Sequence, residues 1–266
     1  MMRVANAVAA TLLSKDRYRF LGELIALTRN IPPIPREVYA DAEPANVVML
    51  VEQYPQTDSP TVTFSSYDAA LLRDALAGVL STMEKFRLLS VDRRVFEAFE
   101  LNAALEVGKL ICWRSFVCTC LGKVPCVERS AVALTGTDEE AFVEYLLEDR
   151  TGRPGRADLF RWLVKEGRGE ILAVKDGEEI LGYLSCSPEY EDVWDVEYVH
   201  VREDMRRRGL GTVLASSYAG ARLTRGQVPY WSGAANEASE RTAMKASFVC
   251  CRELFCVEAT AKPGRR

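Results

Sequence analysis

Apolar and polar positions divide the second half of the chain into strands and helices. Residues 193–201 are mostly β-branched or aromatic and partly alternate with polar residues, which predicts a strand with one wetter face. Around Gly211 a helical spacing of apolar residues begins, at Leu210, Val213, Leu214, Tyr218 and Ala221. The glycines therefore mark the N-terminus of a helix that follows directly on the strand.

The same patterns predict the elements on either side of this segment. Residues 171–175 and 179–185 flank an Asp-Gly turn and predict a hairpin, and residues 150–155 are a loop by composition. The other predicted elements are a strand at 128–134, helices at 137–147 and 158–165, a strand at 228–231, a helix from 236 into Phe248, and a last strand at 254–259. This order predicts an α/β domain over residues 126–262.

The first half of the chain has a more mixed order of elements. The predicted elements are strands at 47–51 and 61–64, helices at 67–83 and 94–109, and a rigid turn at 32–35. The first 13 residues have a faint signal-peptide shape, but their Ala-rich run continues at helical spacing into residues 18–27, which favours an N-terminal helix. We therefore expect a mixed α/β domain over residues 1–125.

Composition limits the classes of partner. A chain of 266 residues is long for one compact domain and accommodates two, and 48% hydrophobic residues can bury a substantial core. The net charge of −4 argues against a general nucleic-acid binder, because a phosphate-backbone footprint needs a basic face. No run reaches the roughly 18 apolar residues of a membrane-spanning helix. We expect no nucleic-acid partner and no membrane attachment.

Eight cysteines are too sparse for a small disulfide scaffold and favour a reduced, cytoplasmic chain. Cys118, Cys120 and Cys126 could in principle hold a metal. However, structural zinc sites usually use Cys-x2-4-Cys pairs, and the alternation in residues 115–121 is more typical of a strand. A single histidine, His200, excludes a His-His zinc site. We expect no bound metal.

The glycine segment after residue 201 has the properties of an anion site. Exposed N–H groups and the positive end of the helix dipole favour an anion at a helix N-terminus, and small residues let a phosphate come close. Residues 205–236 contain five arginines and no Asp or Glu. The alternative is an arginine-rich turn at the start of an ordinary surface helix. The segment is not a Walker loop, and it lacks the third glycine of a dinucleotide-binding fingerprint.

Arg206-Arg-Arg-Gly209-Leu-Gly211 resembles the acyl-CoA pyrophosphate loop of the GNAT N-acetyltransferase superfamily, written Arg/Gln-x-x-Gly-x-Gly/Ala after a strand ending in Val. A second resemblance lies downstream. Asn236, Ser239, Lys245 and Phe248 fall at the offsets of a further GNAT motif, although Ser247 stands in place of its usual Gly. The resemblance covers about residues 128–260 and implies the GNAT fold, a mixed central sheet with flanking helices.

This resemblance implies acetyl-CoA as cosubstrate, bound between the fourth and fifth strands without a metal. The main chain at Val199 and Val201 would then pair with the pantetheine arm. The other implied cofactor-binding residues are Arg206, Arg207, Arg208, Gly209, Leu210, Gly211, Thr212, Asn236 and Ser239. The implied reaction is direct attack by an amine on the thioester, without an acyl-enzyme.

Acyl transfer to an ammonium at neutral pH requires a base. Asp195 and Glu197 share the parity of Val199 and Val201 on a regular strand and are the candidate bases, although each could equally be an exposed strand carboxylate. On the same regular strand His200 faces the opposite side, and only a bulge would bring it in. Many relatives have a Tyr seven residues after the Asn, where this chain has Ala243. The hydroxyl of that tyrosine can protonate the leaving CoA thiolate. Tyr218 and Tyr230 are conceivable substitutes as the proton donor, and each is more typical of the core or of a pocket wall.

Two functions from different classes fit these observations. One is an N-acetyltransferase acting on a small-molecule or peptide amine, and the other is a non-catalytic acyl-CoA-binding regulatory or interaction protein. The first half has no Arg/Gln-x-x-Gly-x-Gly/Ala before residue 128, so we expect an accessory domain that does not bind CoA. Its mixed order of elements is also that of a degenerate GNAT-like repeat. It could complete the acceptor pocket or an oligomer interface, such as that of a homodimer.

Overall fold

The computed structural model describes residues 2–28, 35–40, 46–54, 57–66, 83–100, 105–127, 130–148, 157–234 and 236–261. The chain forms two compact units, one of Met1–Trp113 with Cys251–Arg266 and the other of Arg114–Cys250. The predicted domain border at residues 125–126 lies further along the chain than this division. In the described part of the chain, no helix is long and apolar enough to cross a membrane.

The first unit is a mixed sheet with helices. Its helices are α1 (Asn6–Leu13), α2 (Leu21–Thr28) and α3 (Arg93–Glu100). Its strands are β1 (Met2–Arg3), β2 (Arg36–Ala40), β3 (Val47–Glu52), β4 (Thr61–Ser66), β5 (Lys85–Ser90), β6 (Leu105–Val107) and, from Cys251, β13 (Val249–Ala261). Strands β1 to β4 are antiparallel neighbours, β5 runs parallel to β4, and β13 pairs antiparallel with both β5 and β6.

The sheet of the second unit has the same spatial order of strand directions: four antiparallel neighbours, a fifth strand parallel to the fourth, and a sixth antiparallel to the fifth. Its elements are β7 (Ile111–Val117, from Arg114), β8 (Val132–Ala133), α4 (Glu139–Glu148), α5 (Ala157–Phe160), β9 (Glu170–Asp176), β10 (Glu179–Tyr190), β11 (Val193–Val201), α6 (Leu210–Thr224), β12 (Val228–Ala234) and α7 (Glu237–Lys245). Strands β8 to β11 are antiparallel neighbours, β12 runs parallel to β11, and β7 pairs antiparallel with β12. The predicted fold class, a mixed sheet with flanking helices, is confirmed.

The two faces of the second sheet carry separate cores. Helices α6 and α7 contribute residues such as Leu214, Tyr218 and Ala243 to one core, and we call this side the α6 face. Helix α4 and the turn after α5 contribute residues such as Phe142 and Leu163 to the other, which we call the α4 face. Each face therefore buries apolar side chains from β9, β10 and β11, as the mostly apolar sequence of these strands requires.

Some predicted elements differ from the structure. The predicted helix over 94–109 ends at Glu100, and Leu105–Val107 is strand β6. The predicted last strand at 254–259 exists, and it pairs with β5 and β6 of the first unit. Periodicity identifies a strand without naming its partner. Predictions for residues 67–82, 150–155 and most of the turn at 32–35 lie outside the described residues.

A buried ion pair joins β13 to α2 within the first unit. Arg252 Nη2 lies 3.0 Å from Glu23 Oε1, and the two side chains are 8% and 2% exposed. Arg252→Ala should lower the free energy of unfolding by about 3–5 kcal/mol, because it leaves a buried carboxylate without its cation. Urea unfolding measures this loss. The paired change Glu23→Gln with Arg252→Met should cost less, and equal losses in both variants would contradict the pairing argument.

Candidate active site

Strands β11 and β12 form a fork. They pair at three positions only, Val193–Asp195 with Val228–Tyr230. Beyond this point β11 continues to Val201 and β12 to Ala234, yet these described residues no longer pair with each other. The separation exposes main-chain groups on the inner edges of both strands, which are available to an extended ligand.

The phosphate loop, Arg206–Gly211, lies between the open end of β11 and α6. Arg207 and Gly209 have φ values of +65° and +80°, and Gly209 is the N-cap of α6. The first helical hydrogen bond runs from Val213 N–H to Gly209 O at 3.0 Å. The N–H groups of the three residues before Val213 therefore lack helical acceptors and point out of the helix terminus, as an anion site requires.

A cavity of about 660 Å³ occupies the fork and the loop. Its lining includes every predicted cofactor-binding residue except Arg208: Val199, Val201, Arg206, Arg207, Gly209, Leu210, Gly211, Thr212, Asn236 and Ser239. Lining residues that sequence reasoning did not assign to the cofactor include Trp231 of β12 and Ala238, Arg241, Thr242 and Lys245 of α7. The α7 residues recur at helical spacing after Asn236, and this periodicity could have identified them.

Only part of the predicted arginine cluster lies at the loop. Arg206 Nε donates to Val201 O at 3.2 Å, and Arg206 and Arg207 line the cavity. Arg222 is fully buried near the other end of α6, where it pairs with Glu170 and its Cζ lies 3.8 Å from the Trp194 ring centre. Arg225 pairs with the same Glu170 at 2.6 Å. The two distal arginines therefore neutralise a carboxylate within the fold and add nothing to the loop.

The downstream motif forms the N-terminus of α7. Asn236 Oδ1 accepts a hydrogen bond of 2.9 Å from Ser239 N–H, so the Asn-x-x-Ser spacing is that of a helix N-cap. Ala243 is fully buried in the core, and its carbonyl accepts from Phe248 N–H at 3.0 Å. Ala243 therefore packs α7 against the sheet and does not line the cavity.

A β-bulge in β11 changes which side chains share a face. Ser185 pairs with Tyr198 and Cys186 with Val196, so Glu197 is an extra residue. Because antiparallel partners share a face, Asp195 and His200 lie on the α4 face with Ser187 and Tyr183, their partners on β10. The regular-strand expectation was wrong: the bulge separates the two carboxylates from Val199 and Val201, and it brings His200 to the carboxylate side.

Asp195 lies where the fork opens. It is the last residue of β11 paired with β12, and its carboxylate accepts hydrogen bonds from the N–H of Ser232, at 2.8 Å, and from the Ser232 hydroxyl. Burial raises the pKa of Asp195 to about 7, even though both Ser232 bonds favour the ionised form. The nearby charges of Glu189 and Glu197 act in the same direction as burial. This carboxyl therefore changes charge near neutral pH.

Glu197, the other candidate base, is exposed on the same face. Its Oε1 accepts a hydrogen bond of 2.5 Å from Ser187, whose hydroxyl also lies 3.0 Å from Glu189 Oε1. Asp195, Glu197 and Glu189 thus form a negatively charged region at the closed end of the fork. Such a region attracts a cationic amine.

The aromatic candidates are held in the protein interior. Tyr218 donates its hydroxyl to Trp194 O at 2.6 Å, and burial raises its pKa well above the ordinary value. It is therefore a poor proton donor for a leaving thiolate. Tyr230 is 2% exposed. His200 Nδ1 lies 2.7 Å from the Tyr145 hydroxyl, and the His200 ring stacks on Tyr198 at an interplanar angle of 3°.

The site thus combines a strand fork, a positively charged glycine loop at a helix N-terminus and a cavity that joins them. The sequence comparison agrees with these features. Residues 138–245 match the family model described as the acetyltransferase (GNAT) family. Residues 138–245 form a GNAT acetyltransferase domain. The comparison with curated proteins gives no significant match.

Solved GNAT structures cover the whole chain. A GCN5-related N-acetyltransferase from Sphaerobacter thermophilus is 14% identical, with 99% of this chain and 96% of that chain covered at a TM-score of 0.63. A GNAT-family acetyltransferase from Colwellia psychrerythraea is 11% identical, covering 97% and 98% at 0.56. A tandem GNAT protein from the clavulanic acid biosynthesis pathway is 10% identical, covering 99% of each chain at 0.55. At these identities the likeness shows the fold.

Proposed function

We propose that the protein transfers an acetyl group from acetyl-CoA to a primary amine of a small molecule or peptide. The observation that carries this proposal is the single cavity that extends from the phosphate loop along β11 into the fork. The anion site at the phosphate loop suits a cosubstrate with a charged diphosphate. The carboxylates of Asp195 and Glu197 do not line this cavity; they lie on the other face of β11 from Val199 and Val201 and suit an acceptor with a charged amine. The GNAT family match of residues 138–245 supports this assignment.

The residues of the loop fit a bound diphosphate. The N–H groups of Leu210, Gly211 and Thr212 would hold it, because they point out of the α6 terminus. A Cβ at Gly211 would come within 3.3 Å of Thr242 Cγ2, so the passage between α6 and α7 is narrow there. We propose that the main chain at Val199 and Val201 pairs with the pantetheine arm, and that Asn236 and Ser239 border it on the α7 side.

The carboxylates of the fork supply the proton chemistry in this proposal. An attacking amine must first lose a proton, and the best base at neutral pH has a pKa close to 7. Asp195 has such a pKa and lies at the point where β11 and β12 separate. We assign it the role of general base, and we assign Glu197 the role of attracting the ammonium group. Since position 243 has no tyrosine, the proton for the thiolate comes from water or another group of the cavity.

A second candidate function is a non-catalytic acyl-CoA-binding regulatory protein. Buried Ala243, in place of the tyrosine that many GNAT enzymes use as an acid, favours this candidate. Release of free CoA separates the two functions. Incubation with acetyl-CoA and a panel of amines, followed by thiol detection, should yield CoA with at least one amine. Acetyl-CoA binding without thiol release from any amine would favour the regulatory function.

We also propose that Arg206, Arg207 and Arg208 of the loop between them contact the diphosphate and the ribose phosphate of CoA. Charge-assisted contacts of about 1.5–3 kcal/mol each should make CoA affinity depend on salt and on the 3′-phosphate. Titration calorimetry with CoA and dephospho-CoA measures the dependence on the 3′-phosphate. We expect dephospho-CoA to bind at least about tenfold more weakly than CoA. Equal affinities for the two ligands would remove the ribose-phosphate contact from this proposal.

A further inference from the structure

The hydrogen bonds at the closed end of the fork point to an additional residue of the site, Ser232 on β12. Its N–H and its hydroxyl both donate to the carboxylate of Asp195, one to each oxygen. Main-chain pairing between β11 and β12 ends at Asp195 and Tyr230. The carboxylate of Asp195 therefore extends the link between the two strands by one position, through a side chain rather than through the main chain.

A second bulge, in β12, includes Ser232. Trp231 pairs with Phe116 and Ala234 with Arg114, so two residues of β12 stand opposite one residue of β7. The next residue, Gly233, has a φ of +61°, a conformation that L side chains rarely adopt. At this bulge Ser232 N–H donates to Asp195 Oδ1 at 2.8 Å, while Gly233 N–H lies 3.4 Å from Ser115 Oγ of β7.

We propose that Ser232 is a positioning residue for Asp195, holding its carboxylate at the opening of the fork and favouring the ionised form. This inference rests on the proposed role of Asp195 as the base. Each of the two donors contributes a bond to a charged acceptor, which is stronger than a bond between neutral groups. Without the hydroxyl, one oxygen of this half-buried carboxylate would lose its donor.

Ser232 acts against several groups that disfavour a charge on Asp195. Glu189 of β10 and Glu197 of β11 repel it, and the buried Tyr218 hydroxyl on α6 interacts with it electrostatically. Tyr230 of β12 pairs with Asp195 through the main chain. Burial has the largest effect and also disfavours the charge. Ser232 is therefore the described residue that opposes this combined effect through hydrogen bonds.

Ser232→Ala should raise the pKa of Asp195 by about one unit, because only the ionised form gains from the hydroxyl donor. Carbon-13 NMR of protein with labelled aspartate carboxyls measures this pKa directly, and Asp195→Asn assigns the signal. Ser232→Thr keeps the hydroxyl and should titrate at the wild-type midpoint. Thr224→Ala, which removes an exposed hydroxyl near the far end of α6, is the matched control and should also leave the midpoint in place.

The pH–rate profile gives an independent readout. Ser232→Ala should lose about tenfold in rate on the acid side of the profile and approach the wild-type rate at high pH. A structural role would lower the rate by the same factor at every pH. An Asp195 signal with the wild-type midpoint in Ser232→Ala overturns the proposal, whatever the activity. If the midpoint moves while Asp195→Asn keeps the wild-type pH profile, Ser232 still positions Asp195 and the base assignment is wrong.

Discussion

Asp195→Asn should lower kcat/KM for acetyl transfer by about 10²–10⁴ while leaving acetyl-CoA affinity nearly unchanged. The amide cannot accept the proton of the ammonium, so the chemical step loses its base. Affinity should persist because Asp195 lies at the closed end of the fork, away from the phosphate loop. Steady-state kinetics and CoA titration of the same preparation separate the two effects.

The pKa of Asp195 also predicts the direction in which the rate changes with pH. A carboxyl with a pKa of about 7 is neutral and inactive as a base below that pH, and it is ionised above it. The wild-type rate should therefore rise as the pH passes through about 7, and Asp195→Asn should lose this limb. Asp176→Asn, an exposed change at the last residue of β9, is the matched control. An unchanged pH limb in Asp195→Asn would transfer the role of base to Glu197.

The β11 bulge alters the choice of a further control. On a regular strand, His200→Gln would report on the opposite face of the sheet. The structure places His200 on the same face as the carboxylates and in contact with Tyr145, so a loss of activity in His200→Gln would not by itself exclude a carboxylate base. Glu197→Gln therefore provides the more direct comparison with Asp195→Asn.

Gly211→Asp should weaken CoA binding by about 10²-fold or more. The new side chain brings a negative charge to the proposed diphosphate site, and its Cβ would meet Thr242 Cγ2 at 3.3 Å. Titration calorimetry with CoA measures the loss. This expectation depends on the loop alone and is independent of which group acts as the base.

Gly220→Asp is the control for this variant. It places the same charge in the same helix, and a Cβ at Gly220 meets nothing within 4 Å. It should fold and bind CoA like the wild type. If Gly211→Asp also binds CoA with wild-type affinity, the phosphate-loop assignment is wrong and the cavity holds its ligand elsewhere.

The sequence could predict the local features of the second unit because their causes are local. The β-branched residues of β11, the positive φ at Gly209 and the helical spacing after it all act within a few residues. The hairpin of β9 and β10 was likewise predicted, although its turn is Gly177-Glu178, one residue later than the predicted Asp-Gly, with Gly177 at a φ of +62°. The N-cap at Asn236 likewise needs only Ser239, three residues away.

Features that depend on distant partners could not be predicted. Arg222 and Arg225 form ion pairs with Glu170, which belongs to another element. Counting charges along the chain therefore overstated the positive charge at the loop. Strand β13 has the composition of a strand in either unit, and its pairing with β5 and β6 is a choice among competing edges. Periodicity contains no information on either choice.

The sequence by itself determined a strand, a glycine loop and a helix with the charge and spacing of an acyl-CoA site, because these depend on backbone preferences and short-range capping. Only the tertiary structure decided which side chains meet at that site. The bulge at Glu197 is defined by the count of residues on β10, and the bulge before Ala234 by the count on β7. The first bulge separates Asp195 from Val199 and Val201, because one extra residue in a strand moves every later side chain to the other face. The second bulge includes Ser232, whose N–H and hydroxyl donate to Asp195.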